Sequence, residues 1–182
     1  MNALSQSGAT RSSRSTAGSA DLKLLGIYLN DHLAGATAGT ARAGRLARVA
    51  RGSALGRAIE PVAAEIALDR AALLDIMRDL RIPVRRYKVC AGWAGERMGR
   101  LKPNGHLVGG SPLGTVVDLE ALRLGIEGKA AGWQTLRRLS ATDERLDAAR
   151  LDTLIERARR QQETVEEWRV RQIEQALATT AD

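Results

Sequence analysis

The sequence predicts an all-α fold of four long helices, and three observations lead there. Apolar residues recur in steps of three and four over four separate stretches, which puts them on one stripe of a helix. The chain is 44% hydrophobic but only 3% aromatic, so its apolar content is Leu, Ala, Ile and Val beside 18 Gly, a mixture suited to packed helices rather than sheets. Proline is scarce, with 4 in 182 residues, so little interrupts a helix.

The first helix is expected from Asp21 to Arg51, with Ser19 or Asp21 as its cap and Gly52-Ser53 as its end. Its stripe runs Leu22, Leu25, Leu29, His32, Ala36, Gly39, Ala43, Leu46, Ala50. The second is expected from Ala54 to Arg81, with Pro61 either starting its regular part or kinking it. Its stripe is Ile59, Val62, Ile66, Asp69, Leu73, Ile76, Leu80. A two-residue break between long helices makes an antiparallel hairpin. After Ile82-Pro83 a shorter amphipathic helix is expected over Val84–Leu101, with Val89, Trp93 and Met98 on its apolar side, then a Gly/Pro-rich loop from Lys102.

The third long helix is expected from Pro112 to Leu139, with Ser111 as N-cap. One face carries Leu119, Leu122, Ile126, Trp133 and Leu136; a second carries Leu113, Val117 and Leu124. The fourth is expected from Leu151 to Ala178, with the stripe Leu151, Leu154, Ala158, Gln161, Val165, Trp168. The order is therefore hairpin, connection of about thirty residues, hairpin, and helices on the order of 40 Å need so long a crossover. Residues 1–20 are expected to be a disordered N-terminal tail, 21–178 the bundle domain, and 179–182 a disordered end.

Charge is uneven. Between Asp31 and Glu60 there is no acid, but there are Arg42, Arg45, Arg48, Arg51 and Arg57. The net charge of +7 and this clustering suit an anionic partner, although arginines also gather at helix C-termini to oppose the macrodipole. Cys90 stands alone, so no intrachain disulfide is possible and a cytoplasmic location is expected. No apolar run reaches the roughly 20 residues that span a bilayer, so no membrane is expected as a partner.

His32 and Asp69 are ionisable residues in apolar stripes, at similar heights in the hairpin, so a buried His–Asp pair is expected, with Glu65 one turn from Asp69. Glu120 and Glu127 on the third helix extend the set of possible metal ligands. The hairpin–crossover–hairpin plan resembles the ferritin-like superfamily, an up-down four-helix bundle with a long crossover, here carrying an extra short helix. Di-iron members of that kind use Glu-x-x-His, whereas Glu65-Ile-Ala-Leu68 and Glu156-Arg-Ala-Arg159 both lack the His. No catalytic residue is therefore carried over. The stretches YLNDHLAGATAG, GRLKPNG and SPLGTVVDLEALRLGIEGK are similar to a small bacterial all-helical family, a resemblance that implies no activity.

Gly35, Gly39, Gly125, Gly128 and Gly132 give the first and third helices small-residue sides, expected to pack backbone to backbone, with a flat ligand or a dimer contact as alternatives. Lys102, Asn104, His106 and Ser111, with Arg42, Arg45 and Arg48, are the candidates for holding an anion. No GxxxxGK[ST] motif is present. The expectation is a non-enzymatic interaction or scaffold protein with a buried His–carboxylate network, acting as a homodimer or with a protein partner and without a cofactor. The alternatives are a carboxylate metalloprotein holding iron or another divalent metal, and a salt-sensitive binder of DNA or another polyanion.

Overall fold

The computed structural model describes residues 21–85 and 112–178. Four helices make up the described chain: α1 Leu22–Val49, α2 Ala54–Asp79, α3 Pro112–Leu139 and α4 Ala148–Leu177. Each begins or ends within three residues of its expected position. Asp21 is the N-cap of α1, its carboxylate accepting from the N–H groups of Lys23 and Leu24, and Ser53 caps α2 by accepting from Gly56. Pro61 lies inside α2, which starts seven residues before it and is unbroken there. Val84 and Arg85 are outside any helix. The remainder of the expected crossover helix, the tail 1–20 and the end 179–182 lie outside the described residues.

The turn between α1 and α2 is built by two glycines. Gly52 has φ +84, a conformation that a Cβ makes strained. A Cβ on Gly56 would stand 2.2 Å from the Ala50 carbonyl oxygen, so only glycine lets α2 start this close to the end of α1.

Contacts between side chains fix the topology. Thr37 meets Arg70 across α1 and α2. Tyr28 meets Thr135 near one end of α1, and Arg42 meets Asp118 nearer the other, so α1 and α3 are antiparallel. Asp75–Arg150 and Glu65–Gln161 make α2 antiparallel to α4, and Arg137–Asp152 with Arg123–Glu166 do the same for α3 and α4. It follows that α2 and α3 run parallel. The end of α2 and the start of α3 therefore lie at opposite ends of the bundle, about 40 Å apart at about 1.5 Å per residue.

The four stripes meet in the middle. The α2 stripe is buried throughout, from Ile59 to Leu80, and so is the first face of α3. The second apolar face of α3 is not a core face: Leu113 is 45% and Leu124 66% exposed. Two apolar clusters result. One gathers Leu29, Met77, Trp133, Leu136 and Leu151 at the end where α2 and α3 finish; the other gathers Leu46, Ile59, Leu119, Leu122 and Val165 at the opposite end. Among the described residues no helix is long and apolar enough to cross a membrane.

Candidate functional site

Between the two apolar clusters lies a polar layer with one residue from each of three helical stripes: Asp69, Lys129 and Gln161. Lys129 continues the spacing 119, 122, 126, 129, 133, 136 on α3, and Gln161 fills the equivalent place on α4. Asp69 is 1% exposed. Its Oδ2 accepts from Lys129 Nζ at 2.5 Å and from Gln161 Nε2 at 3.2 Å, and Oδ1 faces the Arg157 guanidinium at 2.6 Å. Gln161 is held at both ends of its amide: Oε1 accepts from Lys129 at 2.5 Å, and Nε2 also donates to Glu65 at 2.9 Å. Burial pushes the Lys129 ammonium below its ordinary pKa, and the adjacent Asp69 carboxylate opposes that shift. Glu65 and Asp69 on one side, Lys129 and Arg157 on the other, balance in charge.

His32 does not join this network. No hydrogen bond connects it to Asp69, contrary to the expected pair. A buried carboxylate is stabilised more by two cations and an amide than by an imidazole that burial tends to keep neutral. The His32 ring instead packs edge-on against Tyr28, with centroids 4.4 Å apart. It also lies over Gly132, where a Cβ would come within 3.1 Å of the ring. Burial lowers the His32 pKa from 6.5, and Asp31 opposes this more weakly. The proton is therefore bound less readily in the folded protein than in the unfolded chain, so stability is lost as pH falls from 6.5 through the folded pKa. Chemical denaturation between about pH 7 and pH 5 should show the wild type losing more stability than His32→Gln. Parallel curves would contradict this.

Beside the polar layer, α1 and α3 part to leave a cavity of about 230 Å³. Its floor is Ile66, Asp69 and Leu73 of α2, and Trp133 and Leu136 close one end. The glycines of α1 and α3 line its sides, and here the expectation of backbone-to-backbone packing fails. A Cβ on Gly35, Gly39, Gly125 or Gly128 would meet nothing within 4 Å, whereas tight helix packing would crowd it. These glycines widen a cleft. Trp133 is 3% exposed, and its indole N–H is buried with no hydrogen-bond partner among the described residues. A donor of that kind is uncommon in a native core.

The remaining candidates fall elsewhere. Glu120 lies on the surface 3.9 Å from Arg169, and the exposed Glu127 accepts from Gln162. Neither reaches Asp69, because both project from the outer side of α3. The expected ligand set is thus not assembled, and among the described residues no group of three or more His, Cys, Asp or Glu could hold a metal ion. Arg42 and Arg45 are not free to bind an anion, since both clasp Asp118, a carboxylate only 8% exposed that needs cationic partners. Arg48 is exposed at the end of α1. Lys102, Asn104, His106 and Ser111 lie outside the described residues. Sequence reasoning missed Lys129, Arg157 and Asp118; for Lys129 the signal was its place in the α3 stripe, passed over because its neighbours there are apolar. Compared with protein-family models, with curated proteins and with solved structures, the chain matches none.

Proposed function

We propose that this protein is a non-enzymatic binding module whose α1–α3 cleft takes up a compact, uncharged, largely apolar molecule. The observation that carries this reading is the open space at Gly35 and Gly39 of α1 and Gly125 and Gly128 of α3, in a cleft lined mainly by apolar side chains. Glycine within a helix costs roughly 0.5–1 kcal/mol each relative to Ala. No described residue packs against these four to offset that cost, so a role in shaping the cleft is the better account. An apolar cavity of roughly 150 Å³ takes benzene, and about 230 Å³ here suits one or two fused rings. Neutrality of the ligand follows from the balanced charges of the polar layer.

A non-enzymatic role is supported by the same layer. Asp69, Lys129 and Gln161 are occupied by one another, which leaves no free general base or nucleophile among them. The network instead sets the register of α2, α3 and α4. The connectivity, with parallel α2 and α3 and a long return between them, supports a ferritin-like reading of the fold, but the ligand reading rests on the cleft alone. A second copy of the chain seated on the same side is a second reading, favoured by the exposure of Leu124 at the rim.

Titration calorimetry with 2-naphthol tests the proposal. The wild type should bind saturably at one site, and Gly128→Leu, which fills the cleft, should weaken binding at least tenfold. The variant should keep its fold, since Leu is a better helix former than Gly by several tenths of a kcal/mol. Failure of the wild type to bind, or equal binding by the variant, would refute the ligand reading. A concentration-dependent dimer that Gly128→Leu disperses would favour the second copy.

A further inference from the structure

The tip of the α1–α2 hairpin is distinct from the cleft. Arg48 and Arg51, one turn apart at the end of α1, line a shallow pocket of about 160 Å³ with Arg57 from the first turn of α2. Glu60 is the one acid in the lining, so three cations face a single carboxylate. None of the three arginines makes an ion pair with a described residue, and Arg57 reaches only the Gly52 carbonyl oxygen, at 3.5 Å. Surface arginines on the rest of the bundle are mostly neutralised: Arg78 by Asp75, Arg137 by Asp152, Arg145 by Asp143, Arg159 by Glu156, Arg171 by Glu167. Opposing a helix dipole does not explain the group, because α1 ends and α2 begins at the same point, and the two terminal half-charges offset each other. The uncompensated charge belongs to the side chains.

The turn also holds them together. Gly52 in the left-handed region and Gly56 against the Ala50 carbonyl bring the end of α1 and the start of α2 into contact. Ser53 ties the turn further, with its hydroxyl donating to Ala50 O at 2.7 Å and accepting from Gly56 N–H at 3.0 Å. Arg51 and Arg57 are thereby set on one rigid tip before any partner arrives, which lowers the ordering cost of binding. Guanidinium groups match phosphate oxygens in geometry and charge.

We infer that the hairpin tip is a phosphate-binding site, in which Arg48, Arg51 and Arg57 together grip one or more phosphate groups carrying at least two negative charges in all. Such charge comes either from a free polyphosphate or phosphomonoester, or from adjacent singly charged phosphodiesters of a nucleic-acid backbone, and the pocket reads no base. Binding at low salt to tripolyphosphate and, separately, to a mixed-sequence duplex oligonucleotide tests this and identifies the source. For at least one of the two probes, the wild type should bind and the Arg48→Gln/Arg51→Gln variant should lose at least tenfold in affinity. Arg138→Gln, at the exposed far end of α3, should leave affinity unchanged. Loss confined to tripolyphosphate assigns the free source, and loss confined to the duplex assigns the backbone, where affinity should also fall steeply with added salt. Binding of neither probe would overturn the inference. So would binding that the double variant leaves intact, or that Arg138→Gln weakens equally. Both replaced arginines are exposed, so circular dichroism of the variant should match the wild type.

Discussion

Asp69→Ala is expected to lower the unfolding free energy by about 3 kcal/mol, because it leaves two largely covered cations without their shared carboxylate. Lys129 and Arg157 have side chains only 12% and 21% exposed, and neither can swing fully into water without disturbing α3 or α4. Glu65 is too far along α2 to replace Asp69, since it reaches the layer only through Gln161. Thermal unfolding should report the loss as a fall in Tm on the order of 10 °C, at about 2–4 °C per kcal/mol for a chain of this size. Replacing Asp69, Lys129, Arg157 and Gln161 together by Leu, Met, Met and Met should restore most of it. A complete apolar substitution removes the desolvation cost along with the pairing. A single variant as stable as the wild type would show that the layer contributes nothing to the fold.

Leu136→Ala should cost about 2–5 kcal/mol, as deletion of a fully buried Leu side chain does. Leu136 is 0% exposed and packs in the cluster with Leu29, Met77 and Leu151. Leu124→Ala, on the same helix, should change stability by no more than about 0.5 kcal/mol, because Leu124 is 66% exposed. Urea denaturation of the pair separates the buried face of α3 from its exposed one. Equal losses would mean that Leu124 is covered in solution, as a second copy on the cleft would require.

Periodicity made the helices and their buried faces legible, since a stripe at steps of three and four can be buried in only one way. The α2 stripe and the first α3 face are the clearest cases. The second α3 face misled because Leu113, Val117 and Leu124 have helical spacing with no described element covering them. The polar layer was half legible. Asp69 stood out in an apolar stripe, but which residue answers it depends on how α3 and α4 are placed against α2, and spacing along one helix does not carry that information. Hence His32 was paired with Asp69, while Lys129 and Arg157 took that place. The glycines were legible as a pattern and misread as an effect. The same small residues allow helices to touch or to part, and only the position of the neighbouring backbone decides between them. Arg42 and Arg45 were misread for a related reason, since Asp118 lies more than seventy residues away in sequence.

The most direct test of the cleft is the indole N–H resonance of Trp133, identified by its absence from the spectrum of Trp133→Phe in protein labelled with ¹⁵N-tryptophan. Because the Trp133 side chain lines the cleft, adding 2-naphthol should shift the resonance through the ring current of the bound aromatic. The Trp168 resonance, from a half-buried ring stacked beneath Arg171 in the other half of the bundle, should stay where it is. A Trp133 resonance that does not move while the ligand binds would contradict the account, because the molecule would then be held somewhere other than between α1 and α3.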